Sequence, residues 1–223
     1  QPLIRFDAKG RRMVIQLITD FPDYAPDPRP NFADNVRHSH PYGVVGRARH
    51  LYIVDAGFNS LRKVDVFSGA YETLASFAPT PNPQPFGPPV IENVPTSIRW
   101  AGHDLLVTLL SGAPSFLPGY SQVQQVDPRT GTITPLITGL SAAIDVVTLR
   151  SHGCDESYLT LEFDLNFPAP GPGRLQYFAA ANASPVILAD CLTTSSSLVL
   201  DRKGDRLVIA ELATGRLVTF ELP

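Results

Sequence analysis

Three short apolar runs in this chain of 223 residues end in an acid: Asp55 closes LYIVD (51–55), Glu162 closes YLTLE (158–162) and Glu211 closes LVIAE (207–211). Asp145 and Ser97 stand inside shorter apolar runs that precede such segments, and His40 stands just before another. Gathered around one axis, these six residues would make a polar ring. Carboxylates converging in a dry channel could hold a divalent cation such as calcium through hard oxygen ligands, or act as general acid and base. The same acids have a plainer use, because a buried carboxylate at a strand end commonly accepts backbone N–H bonds that would otherwise go unpaired. Asp55, Asp145, Glu162 and Glu211 are therefore the metal candidates, and their types alone do not separate the two uses.

His38 and His40 form a His-x-His pair whose side chains would point to one side of an extended segment and could share a metal, given further ligands. His50, His103 and His152 fall in or beside short turns and read as solvated. No Gly-x-Ser-x-Gly elbow, Cys-x-x-Cys pair or phosphate-cradling glycine loop occurs, so no organic cofactor is implied. Asn182-Ala-Ser is a glycosylation sequon on an expected hairpin turn, with Pro185 following it. Cys154 and Cys191 permit one disulfide; their expected places, at opposite ends of their strands, lie too far apart for a bridge.

Composition fixes the class within which these residues must work. The chain is 43% hydrophobic and 17% charged, enough to bury a large core. A net charge of -3 without a basic stripe argues against nucleic acid. No apolar run approaches the ~18 residues of a membrane-spanning helix. The first residues, Gln1 to Arg5, lack the basic and apolar regions of a signal peptide.

The apolar runs recur. LYIVD (51–55), LLVTL (105–109), YLTLE (158–162) and LVIAE (207–211) are each preceded by a shorter strand and followed by one that ends in a tight turn. No apolar stripe at helical spacing interrupts them. A period of about 50 residues carrying four strands is the signature of β-propeller blades. The expected inventory is a half blade at 1–20, blades at 40–78, 95–138 and 143–191, and a last blade at 196–223 without its outer strand, about 4.5 blades in one all-β domain. Ile53, Val107, Leu159 or Leu161, and Ile209, central in the second strands, should be buried between blades.

NVRHSHPYGVV, LYIVDAGFNSLRKVD, NVPTSIRW and GLSAAIDVVTL resemble, in this order, the motifs of the ScyD/ScyE family of propeller proteins, with NHL-repeat propellers as more distant relatives. His40, Phe58 and Leu109 depart from that pattern, which has Asn, Gly and Glu there. The resemblance implies a six-bladed propeller of which this chain resembles the C-terminal two-thirds, and a secreted or periplasmic location.

Blade geometry sends the connection from second to third strand, and from fourth strand to the next blade, to one face. The long Pro-rich and aromatic segments 21–40, 78–94, 110–120 and 164–173 all belong to that face, where proline pre-orders a loop. The expected function is therefore a binding or scaffold propeller presenting this face to a protein or small-molecule ligand. The alternative is a metal-dependent hydrolase or lactonase with the carboxylates at the channel mouth. An incomplete ring would expose apolar blade faces. A separate N-terminal segment could complete it, a second copy could pack on it, or the 13–18 strand could close a smaller ring beside GRLVTFELP; the first is the expected arrangement.

Overall fold

The computed structural model describes residues 3–6, 9–22, 24–26, 36–112, 116–150, 156–166, 171–201 and 203–222. Two short antiparallel pairs open the chain, β1 (Leu3–Phe6) with β2 (Arg12–Ile15) and β3 (Ala25–Pro26) with β4 (Val36–Arg37). The first blade is β5 (Pro41–Arg47), β6 (His50–Asp55), β7 (Ser60–Asp65) and β8 (Tyr71–Ser76). A small hairpin of β9 (Thr80–Pro81) and β10 (Val90–Ile91) leads to the second blade, β11 (Asn93–Ala101), β12 (Asp104–Ser111), β13 (Ser121–Val126) and β14 (Ile133–Leu140). The third blade is β15 (Ala143–Arg150), β16 (Glu156–Glu162), β17 (Pro172–Phe178) and β18 (Val186–Thr193), and the fourth is β19 (Ser195–Leu200), β20 (Arg206–Glu211) and β21 (Arg216–Glu221). Each blade lays its strands side by side in chain order, all antiparallel, and no helix occurs among the described residues. The chain is a β-propeller of four blades.

Every first strand carries a β-bulge at the same place. Tyr42, Thr96, Ile144 and Ser196 are each passed over in the pairing with the second strand. A bulge bends its strand and sharpens the local twist, so repeating it gives each blade the same turn near the axis. Each second strand is covered on both sides, which explains why it reads as a nearly continuous apolar run rather than an alternation. Tyr52, Val54 and Leu61 of the first blade pack on Ile98, Leu105 and Val107 of the second. Leu106 and Val123 meet Val146 and Tyr158 across the next gap, and Leu159, Leu161 and Leu175 meet Leu198 and Ile209 across the last. Ile53, Val107, Leu159, Leu161 and Ile209 are all buried. In the third blade Thr160, opposite Val146, takes the register place that Ile53, Val107 and Ile209 hold elsewhere, so both leucines face the fourth blade.

The N-terminal strand does not close a ring beside β21, since β2 pairs with β1 alone. Residues 18–22 instead lie along the first blade: Phe21 meets the ring of Tyr71 edge-on at 4.9 Å, and Ser39 donates its N–H to the Pro22 carbonyl. Cys191 is an exposed free thiol, whereas Cys154 and His152 lie outside the described residues.

Candidate functional site

The second strands of the first, third and fourth blades deliver Asp55, Glu162 and Glu211 to the corresponding corner of each blade, at the loop-rich face. Each carboxylate binds the backbone of the strand that enters its own blade. Asp55 accepts from the N–H of His40 at 2.9 Å, Glu162 from Ser141 at 2.5 Å and Glu211 from Thr193 at 2.7 Å. Counted from the bulge, Asp55 reaches the residue two places back, and each glutamate, one methylene longer, reaches three places back. The residue after each acid adds a backbone bond: Ala56, Phe163 and Leu212 donate to the carbonyls of His40, Ala142 and Thr194. In the second blade Leu109 stands at the acid's register position and is buried in the apolar gap. A hydroxyl takes over the polar work there, with Ser121 accepting from the Ser111 N–H at 2.9 Å and donating to the Ser141 carbonyl at 2.9 Å.

Asp55 is fully buried. It also accepts from the N–H groups of Gly57 and Phe58 and from Arg62 Nε at 2.8 Å. Burial alone would raise its pKa, but the His40 N–H and the Arg62 guanidinium together hold it below the usual carboxylate value. Arg62 is enclosed by the rings of Phe21, Phe58 and Tyr71, its guanidinium carbon 5.1 to 5.4 Å from their centres. Glu162 lies 3.4 Å from Arg174 Nε. Glu211 is held low by the Thr193 N–H and by the Thr214 hydroxyl, which donates at 2.9 Å.

Asp145 does different work nearer the axis. It accepts from Arg99 Nε at 3.1 Å and Nη2 at 2.6 Å, and from the Leu198 N–H at 3.1 Å, while Arg99 Nη2 also donates to the Leu198 carbonyl. One arginine and one aspartate thus join the first strands of the second, third and fourth blades. This bidentate pair raises the Arg99 pKa. Ser97 donates to the Thr108 hydroxyl at 2.8 Å within its own blade.

The six residues of the expected polar ring are therefore distributed rather than convergent. Asp145 links blades, the other three acids stay in their own corners, and His40 contributes its backbone to the Asp55 corner while its ring is exposed. Among the described residues no three His, Cys, Asp or Glu side chains are grouped to hold a metal. Asp55, Asp145, Glu162 and Glu211 each have their own hydrogen-bond partners in this structure. Asn182 is exposed in the turn between β17 and β18, on the opposite face.

Sequence reasoning missed the residues that order the loops. Glu92 ties three of them together. Its carboxylate accepts from Arg37 at 2.8 Å and from Asn59, while Arg37 also donates to the Gly57 carbonyl. Asn59 adopts a φ of 49°, a left-handed conformation that asparagine tolerates well. In the 78–94 loop, Asn82 donates to the carbonyls of Phe86 and Pro88 and accepts from the Gln84 N–H, and its own N–H donates to Pro89. The Pro-x-Pro spacing announced stiffness; nothing local marked Asn82 as the knot.

No protein-family model and no curated protein sequence matches the chain. Solved structures do resemble it. A chain of a nidogen–laminin complex aligns with a TM-score of 0.58 at 15% identity, over 82% of this chain and 61% of that one. A calcium-binding protein, regucalcin, from Agrobacterium tumefaciens aligns with a TM-score of 0.55 at 11% identity, over 92% and 59%. The Dos1 propeller gives 0.53 at 15% identity, over 90% and 51%. The chain thus spans between half and three-fifths of the length of these structures, and what it shares with them is the β-propeller fold.

Proposed function

We propose that this propeller is a binding or scaffold protein of the ScyD/ScyE type, extracytoplasmic, whose loop-rich face receives a protein or small-molecule ligand. One observation carries the reading: the 78–94 loop is knotted by Asn82 around a tip that exposes Phe86, 68% accessible. An exposed aromatic on a pre-ordered loop supplies contact area at low entropic cost, which is how interface anchors work. The motif order of the sequence supports the family and the location, and the nidogen–laminin likeness supports a protein partner. A hydrolase or lactonase reading gains nothing from the geometry, because each candidate carboxylate is already committed to backbone N–H groups or to arginine.

Two exposed phenylalanines make the test. Phe86 lies on the loop-rich face and Phe67, 82% accessible, in the β7–β8 turn of the opposite face. With a photo-crosslinking phenylalanine analogue placed at either position in cells, adducts should form from position 86 and not from 67. Equal yields from both positions, or adducts from 67 alone, would overturn the reading.

A further inference from the structure

The two rings of the His-x-His pair belong to none of the corner devices, while the backbone that carries them is held on several sides. Ser39 donates to Pro22, His40 donates to Asp55, and the His40 carbonyl accepts from Ala56. Gly57 presses so closely from the other side that a Cβ there would lie 1.9 Å from the His38 carbonyl oxygen. On this fixed support both rings are exposed, and they meet at right angles with centres 4.0 Å apart. Their Nε2 atoms converge to 3.0 Å.

We propose that His38 and His40 form a two-imidazole site for a divalent transition-metal ion, nickel(II) or copper(II), at the loop-rich face. Imidazole nitrogens bind such ions at about 2.0 to 2.1 Å, so a pair 3.0 Å apart subtends an angle of about 90° at the ion, whereas a tetrahedral centre would spread the pair to about 3.4 Å. A right angle is the cis angle of the square-planar and octahedral centres that nickel(II) and copper(II) favour over zinc. The ion would take the place of the Nε2···Nε2 contact between the rings. Two ligands on one rigid segment act as a chelate, the second nitrogen binding at high effective concentration once the first has bound. The remaining positions, open to solvent, would be filled by water or by an oxygen donor of whatever occupies this face. This site is independent of the binding role proposed above and would stand or fall without it.

Calorimetric titration of the full chain with nickel chloride, its thiols alkylated because exposed Cys191 would compete, tests the site. One ion should bind per chain, and His38→Gln and His40→Gln should each weaken binding by at least about tenfold, since either change destroys the chelate. The double variant should bind hardly worse than either single one. His103→Gln, an exposed histidine of the opposite face, should bind as wild type does, and because both ring positions are exposed all variants should melt at the wild-type temperature. No saturable binding by the wild type, or affinity unchanged in His38→Gln and His40→Gln, would overturn the proposal.

Discussion

Asp55 shows what a single residue does in this architecture. One fully buried carboxylate takes three backbone N–H groups and one buried guanidinium. Removing one partner of such a buried pair leaves an uncompensated charge, so Arg62→Ala should cost about 3 to 5 kcal/mol in urea unfolding. The pH dependence follows from the same contacts. The folded-state pKa of Asp55 lies below its unfolded value, so its contribution is complete above the ordinary carboxylate range and is lost as pH falls through that range toward the folded value. Asp55→Asn should be less stable than wild type at neutral pH and should lose less stability on acidification below about pH 4. A variant whose stability fell with pH as steeply as that of the wild type would contradict this assignment. The three corner acids were legible in the sequence as strand-ending carboxylates. Their partners were not, because a backbone N–H looks alike at every position and Arg62 comes from a strand beyond the corner.

At the scale of the element, the repeated corner explains why the blades tolerate both acid lengths. Asp55 and Glu162 each fit the distance to the backbone N–H that donates to them, so exchanging them should fail. Glu162→Asp, a methylene short of the Ser141 N–H, should cost about 1 to 3 kcal/mol and leave that amide faster in hydrogen exchange than in the wild type. Equal protection at Ser141 in the variant and the wild type would refute the corner's role. The strands themselves were readable from apolar runs bounded by Gly, Asn and Asp, and so was their order within each blade. The bulges were not, since passing over Tyr42, Thr96, Ile144 or Ser196 leaves no common residue type behind. That gap hid the shared register place of Thr160, whose flanking leucines offered the stronger apolar signal.

The whole molecule is governed by what its two outer flanks leave uncovered. Val44 holds the register place of Ile98, Val146 and Leu198, which are buried, yet it is 60% accessible on the first blade. Leu217 matches Leu61, Val123 and Leu175, all fully buried, and is 73% accessible on the fourth. A second copy meeting these flanks would bury both, so the 223-residue chain should associate with rising concentration in sedimentation, and Leu217→Lys should shift it toward monomer. A wild type that sediments as a monomer at all concentrations would contradict that. The exposed flank positions followed from the strand inventory, but how the N-terminal segment lies did not, because it is placed by Phe21 against Tyr71 and Arg62 rather than by strand pairing. The central claim is that Asp145 stabilises the fold by joining blades through Arg99 and Leu198, and Glu162 by holding the Ser141 N–H, neither of them through a metal. Urea unfolding of wild type, Asp145→Asn and Glu162→Gln, each with and without calcium chloride, tests it most directly. Both variants should unfold at lower urea, by about 1 to 3 kcal/mol, with calcium moving no midpoint. Variants as stable as wild type, together with a calcium-dependent rise seen in the wild type alone, would contradict it.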